Sequence, residues 1–303
     1  MTKDNSRAYE AFSNGAALVR RSDVGRLLVS GKDRSAYLQG LLTNDVAALT
    51  PGNGCYAAML TAQGRMISDM YVDEIGEAML LRLPVALTTQ IREHLDRFIF
   101  AEDVQISDVS SAKAQIGIYG PLAAEVAAQA SGALRLAADD LPGVALVIGT
   151  DEVEAVVDRL TAAGAVDATT DEFEIARIEA AVPRFGVDMD TDTIPLEAGI
   201  EDRAISRTKG CYVGQEVIVR VLDRGQGRVA RRLVQLAFDA GAPVPVHGAT
   251  LHAADRDVGH ITSAVYSPRF DCVIALGYVR REFAAGGTAL TVDGVRATVR
   301  THD

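Results

Sequence analysis

Between Arg203 and Arg232 the chain carries eight Lys or Arg residues (Arg203, Arg207, Lys209, Arg220, Arg224, Arg228, Arg231, Arg232) against two acids, Glu216 and Asp223. This is a local reversal of sign in a protein whose formal net charge is -11. On charge alone two readings stay open: a site for an anionic carboxylate or phosphate tail, or a solvated face paired with acids elsewhere. Within the stretch lies Lys209-Gly210-Cys211-Tyr212-Val213-Gly214-Gln215-Glu216. Its glycines permit left-handed backbone or close approach of another group. Cys211 is either a reactive thiol or a structural one. Gln215 and Glu216 open an apolar segment, Val217–Val221.

A second constellation precedes it: Arg177-Ile178-Glu179, then Gly186-Val187-Asp188, then Pro195-Leu196-Glu197-Ala198-Gly199. A carboxylate presents two acceptors side by side, so one buried glutamate can grip a flat heterocycle that carries an N–H beside an amino group. The alternative for Glu179 is an acid on a helix surface.

These residues need elements to position them. Arg26–Ser30 reads as a strand, and Asp33 as the N-cap of a helix over Arg34–Leu42. Cys55–Leu60 and Met66–Val72 form a hairpin around Thr61-Ala62-Gln63-Gly64. Strand Ala78–Leu83 leads to an amphipathic helix over Thr88–Phe98. A similar order recurs: strand Ala114–Tyr119, helix Leu122–Ala130, strand Val144–Ile148, then helix Glu152–Ala163 capped by Asp151. Two such units suggest an internal duplication of split β-α-β character. Another helix begins near Thr170. After Arg228, short alternating runs (Leu233–Phe238, Thr250–His252, Gly259–Tyr266, Ile274–Val279, Ala289–Val292, Ala297–Arg300) separated by Gly, Pro and Asp predict a small antiparallel barrel or sandwich. The expected class is α+β. Residues 1–110, completed by 171–226, form a first α+β domain; 111–170 form a second; 227–303 form the barrel.

Composition narrows the function. The acidic balance excludes a generic nucleic-acid binder, and no run approaches the ~20 apolar residues that span a bilayer. The polar start, MTKDNSRAYEAFSNG, resembles no signal or transit peptide, so the cytoplasm is the expected location. Cys55, Cys211 and Cys272 are scattered, which argues against a disulfide framework, and three cysteines cannot make a four-Cys cluster site. The five histidines show no H-x-x-x-H spacing, so no metal site is expected.

The run at 209–216, followed by Arg220 and Arg224-Gly225, resembles the signature of the YgfZ-type folate-binding proteins. These are relatives of the glycine-cleavage aminomethyltransferase, the T-protein, in the branch that acts in iron–sulfur protein maintenance. Leu41-Leu42-Thr43-Asn44-Asp45 is similar to the T-protein Leu-Leu-Thr-Asn-Asp region, and the segments around Arg177, Gly186 and Pro195 are similar to the superfamily's pterin-binding segment. The resemblance implies two ferredoxin-like or related α+β domains and a C-terminal β-barrel around a central folate channel. It implies tetrahydrofolate or a one-carbon derivative as cofactor. Glu179 and Glu197 would hold the pterin, and Arg220 or Arg224 would meet the glutamate tail. Lys209, Tyr212, Gln215 and Glu216 would complete the binding set, and Cys211 would be a redox-sensitive or transient ligand. Iron–sulfur client enzymes or assembly proteins would be partners.

The sequence departs from the enzyme at two places. Where T-proteins carry adjacent aspartates after the first hairpin turn, this chain has Ser68-Asp69. A serine hydroxyl cannot replace a carboxylate in holding or moving a proton. Asp69 therefore either faces the folate as a catalytic group or is solvated at the hairpin end. The family's tyrosine before Gly186 is Phe185. Three roles follow: a folate-dependent factor for assembly or repair of iron–sulfur enzymes, a folate-dependent aminomethyl or methyl transferase or demethylase, and a non-catalytic folate-binding scaffold.

Overall fold

Alternating burial along the strands, and continuous burial where both faces are covered, sort this chain into two sheets and a barrel. The computed structural model describes residues 3–225 and 227–301, with side chains from residue 7 and excepting Arg224. The chain divides into two compact units: Met1–Leu60, Ile67–Phe173 and Arg203–Val213 in the first; Thr61–Met66, Glu174–Asp202 and Gly214–Asp303 in the second.

The first unit opens with α1 (Lys3–Asn14) and β1 (Ala17–Arg20), followed by β2 (Val24–Ser30), α2 (Arg34–Leu41), β3 (Gly54–Leu60), β4 (Met66–Glu74), β5 (Ala78–Pro84), α3 (Thr88–Asp96) and β6 (Gln105–Asp108). One sheet runs β3-β4-β5-β2-β6. On one face, Leu27, Val29, Met70, Val72, Leu81 and Leu83 pack with Tyr37 and Leu38 of α2 and Ile91 and Leu95 of α3. The Tyr37 hydroxyl donates to the Leu95 carbonyl at 2.6 Å, tying the two helices together.

A second sheet follows from β7 (Lys113–Tyr119), α4 (Ala123–Ala127), β8 (Leu134–Ala137), β9 (Gly143–Gly149), α5 (Val153–Ala162) and β10 (Val166–Asp167), in the order β10-β1-β7-β9-β8. Its helix-covered face packs Leu18, Ile116, Ile118, Leu146 and Ile148 against Val126, Val156 and Leu160. Its other face meets the first sheet, where Leu80 packs with Leu136, Ala145 and Val147. Charge is buried along this seam. Arg82 pairs with Asp73 at 2.7 Å and with Asp139, while Arg21 pairs with Asp23 at 2.9 Å and with Asp140 at 3.1 Å. Such ions persist in a dry interior only because each has partners.

α6 (Thr170–Glu179) starts at a capping box. The Glu172 carboxylate accepts from the Thr169 N–H at 2.7 Å, and the Glu172 N–H donates back to the Thr169 hydroxyl at 3.3 Å. Then come α7 (Pro195–Ala198), α8 (Glu201–Ala204) and α9 (Gln215–Val219). The six strands β11 (Arg231–Phe238), β12 (Thr250–Ala253), β13 (Arg256–Ser267), β14 (Cys272–Arg280), β15 (Ala289–Val292) and β16 (Val295–Val299) close a barrel in the order β11-β14-β13-β12-β15-β16. Register shifts at Leu251/His252 and Ile261/Ser263 bend its strands. Leu236, Phe238, Leu251, Ile261, Leu290 and Val299 fill its core.

The α+β class with a C-terminal antiparallel barrel is as expected from sequence, and several details differ. Asp33 stands at the N-cap position of α2 as expected, but its side chain makes no capping hydrogen bond; its carboxylate instead accepts from the Asp103 N–H at 2.8 Å. Asp151 is not the cap of α5. Thr150–Glu152 form a 3-10 turn, where Glu152 accepts from the Gly149 N–H at 3.0 Å. Val217–Val221 is no uniform segment: α9 passes at Arg220 into a π-helical turn, Arg220–Arg224.

Candidate functional site

Asp69 lies on β4, on the face opposite the helices, in line with Tyr71 and Asp73. Tyr56 reaches it from β3 and donates its hydroxyl to Asp69 Oδ2 at 2.7 Å. The Tyr56 ring packs against Tyr71 at 5.0 Å between centroids, and the Arg203 guanidinium sits 4.8 Å above it. Loss of hydration drives the Asp69 pKa up, Tyr56's hydrogen bond opposes this, the Asp140 charge adds to it and Arg203 lowers it; the result is about 6. Asp69 is thus half-buried and anchored, not solvated at a hairpin end. A carboxyl group titrating there can hold or release a proton near neutral pH. Ser68 is fully buried, and its hydroxyl donates to the Asp69 carbonyl at 2.9 Å. Tyr56 was missed in the sequence reading; the one available signal was its place in the facing strand of the hairpin.

Segment 203–213 is stitched to the end of α2. The Thr43 hydroxyl donates to the Ala204 carbonyl at 2.6 Å, the Ser206 N–H to the Thr43 carbonyl at 3.1 Å, and the Val213 N–H to the Gly40 carbonyl at 3.3 Å. Lys209 Nζ donates to the carbonyls of Gln39 and Leu42 at 2.6 Å and of Asn44 at 2.9 Å. A cation among the unpaired carbonyls at a helix C-terminus satisfies both dipole and hydrogen-bonding needs. All three ammonium protons are engaged, so in this conformation Lys209 holds the loop and does not offer a free cation. Burial lowers its pKa to about 8. Buried Tyr212 lies beneath it, with its ring centroid 5.1 Å from Nζ. Cys211, between them, is an exposed free thiol. Cys55 differs: burial pushes its pKa up to about 12.

The second unit holds the glutamates. Arg177 is fully buried and pairs with Asp188 at 2.7 Å and Glu174 at 2.6 Å; Asp188 also accepts from the hydroxyls of Thr262 and Ser263 at 2.6 Å. The conspicuous arginine and aspartate therefore pin α6 and the 182–189 turn to β13. Glu179 ends α6 and accepts from the Ser267 hydroxyl. Glu197, on α7, pairs with Arg231 at 3.1 Å, and that guanidinium stacks over Tyr278 at 4.5 Å. Phe185 is buried.

Gln215 is half-buried on α9, whereas Glu216 and Arg220 are exposed. The Arg224 side chain lies outside the described residues. The cationic surplus is partly spent locally, since Lys209, Arg203, Arg231 and Arg232 have the partners described or a carbonyl (Arg232 to Gly227 at 3.2 Å). The hairpin tip Thr61–Met66 packs within the second unit. The Met66 N–H donates to the Thr193 carbonyl at 2.9 Å, and a Cβ on Gly64 would lie 3.0 Å from that of Val217. The predicted residues thus fall into two sets. Asp69, Lys209, Cys211 and Tyr212 belong to the first unit; Glu179, Glu197, Gln215, Glu216 and Arg220 belong to the second. Among the described residues no group of three His, Cys, Asp or Glu side chains could hold a metal, and no helix is long and apolar enough to cross a membrane.

Residues 1–146 match the family described as the GCVT N-terminal domain, and residues 231–302 match the glycine cleavage T-protein C-terminal barrel domain. An aminomethyltransferase of Nostoc sp. is 29% identical over 95% of this chain and 83% of its own length. That of Bacillus subtilis is 28% identical over 95% of this chain and 86% of its own. The crystal structure of glycine cleavage system aminomethyltransferase T from Bartonella henselae shares the fold, with a TM-score of 0.87, 20% identity, and coverage of 97% of this chain and 88% of that one.

Proposed function

Because the chain belongs to the glycine-cleavage T-protein superfamily, we propose that it binds tetrahydrofolate or a one-carbon derivative and supports assembly or repair of iron–sulfur enzymes without acting as an aminomethyltransferase. The observation that carries this reading is Ser68, which stands where the enzymes have the first of two aspartates. Its side chain is buried and its proton goes to a main-chain carbonyl, so the first carboxylate of the pair has no substitute there. Glu179 and Glu197 would grip the paired donors of the pterin, with Arg231 replaced or shared by the ligand at Glu197. Exposed Arg220, and Arg224, would meet the anionic tail. Lys209 and Tyr212 would shape the loop that presents Cys211 to a client protein, and Gln215 and Glu216 would set the start of α9.

One observation favours a second reading. Asp69, with a pKa near 6 and a fixed Tyr56 donor, is suited to proton transfer in a folate-dependent transferase. Two measurements separate them. Tetrahydrofolate should raise the melting temperature, while an aminomethyl-loaded lipoyl carrier should yield no methylene-tetrahydrofolate; steady turnover would establish the transferase instead. In a deletion strain, the wild-type chain should restore cluster-dependent enzymes and Cys211→Ala should not. Full rescue by Cys211→Ala would remove the thiol from the account.

A further inference from the structure

We propose that Ser267, Gln235 and Arg300, all contributed by the C-terminal barrel and outside every motif, are the positioning residues of Glu179, and that Ser267 sets the plane in which its carboxylate presents acceptors to the heterocycle. This rests on the reading of Glu179 as the pterin-binding residue.

Glu179 is the last residue of α6. An anion there faces the negative end of the helix dipole, which donors from elsewhere offset. The barrel supplies them. Ser267 is fully buried, at the end of β13; the Phe270 N–H donates to its oxygen at 3.1 Å, which directs the hydroxyl proton to Glu179 Oε1. Gln235, buried on β11, donates Nε2 to the helix-end carbonyls of Ile178 and of Glu179 itself, the latter at 3.1 Å. The Gln235 amide is oriented in turn by Arg300, whose Nη1 donates to Oε1 at 2.8 Å. Arg300 is held by its own N–H, which donates to the Gln235 carbonyl at 2.8 Å, and by stacking over Phe270 at 3.6 Å. The contacts close a ring from Glu179 through Ser267, Phe270, Arg300 and Gln235 back to Glu179. A carboxylate has about four lone-pair sites. Ser267 takes one, and this bond fixes the plane in which the carboxylate meets a paired donor edge.

The test is calorimetric titration of the full chain with tetrahydrofolate in wild type, Ser267→Ala, Ser267→Thr, Glu179→Gln and the Glu179→Gln/Ser267→Ala double variant. Ser267→Ala should weaken binding about tenfold, the order expected for one hydrogen bond to a charged group, and Ser267→Thr should restore it. In the Glu179→Gln background the second substitution should cost nothing further, as coupling through one residue requires. If Ser267→Ala also lowers the melting temperature, Ser267→Cys, which keeps the volume but donates weakly, should show the same loss. Wild-type affinity in Ser267→Ala, or an undiminished tenfold loss in the Glu179→Gln background, overturns the proposal. Wild-type affinity in Glu179→Gln would instead overturn the folate reading itself.

Discussion

Asp69 gains its chemistry from its surroundings, and this has a measurable sign. Its folded pKa of about 6 lies above the ordinary aspartate value of 3.8, chiefly through lost hydration. The folded state therefore binds the Asp69 proton more tightly than the unfolded chain does. The stability this contributes is fully present below about pH 4 and is lost as pH rises through 6. Asp69→Asn removes the ionisation. Relative to wild type it should gain stability between pH 4.5 and pH 7.5, by on the order of 2 kcal/mol, in urea melts at the two pH values. A gap that does not widen with pH would mean the carboxylate is already solvated in the fold. None of this was legible in the residue's own type. It depends on Tyr56, Arg203 and Asp140, which are distant from Asp69 in sequence or hidden by ordinary strand alternation.

Elements explain residues that the motifs alone leave ambiguous. Lys209 was legible as special, but its task was not, because the carbonyls of Gln39, Leu42 and Asn44 that it caps lie about 170 positions away in sequence. Lys209→Met leaves those carbonyls without their donor and should cost about 2–3 kcal/mol, with faster proteolysis inside 203–213; unchanged urea stability would contradict the clamp. Gly64 combines φ +75° with its close approach to Val217. Gly64→Ala should therefore destabilise by about 1–2 kcal/mol, measured by thermal melting, and a neutral result would mean that the tip moves freely. The long alternating strands were readable from sequence because each has one apolar face. The four-residue strands β1, β6 and β8, and two-residue β10, were not; unlike the equally short β12 and β15, they lie outside the regular succession of apolar runs and turn residues after Arg228. The predicted helix over Leu122–Ala130 shortens to Ala123–Ala127, a length set by packing on the sheet and not by its alanine content.

At the scale of the whole molecule, the change from mixed elements to evenly spaced short strands after Arg228 made the α+β class with a terminal barrel legible. The buried charge between the two sheets was not. Arg21, Arg82, Asp73, Asp139 and Asp140 look like surface residues in sequence, and only the pairing of separate strands puts them indoors. The positive stretch in a chain of net charge -11 was equally easy to see and harder to assign, since half of its cations serve carbonyls, a ring or Glu197. What the chain does as a whole depends on whether Glu179, ending α6 and braced by Ser267, receives a pterin. Calorimetric titration with tetrahydrofolate should show one site per chain in wild type and a loss of about a hundredfold in Glu179→Ala, the order expected when a bidentate contact to a charge is removed. Equal heats and equal affinity in the two proteins would contradict the account.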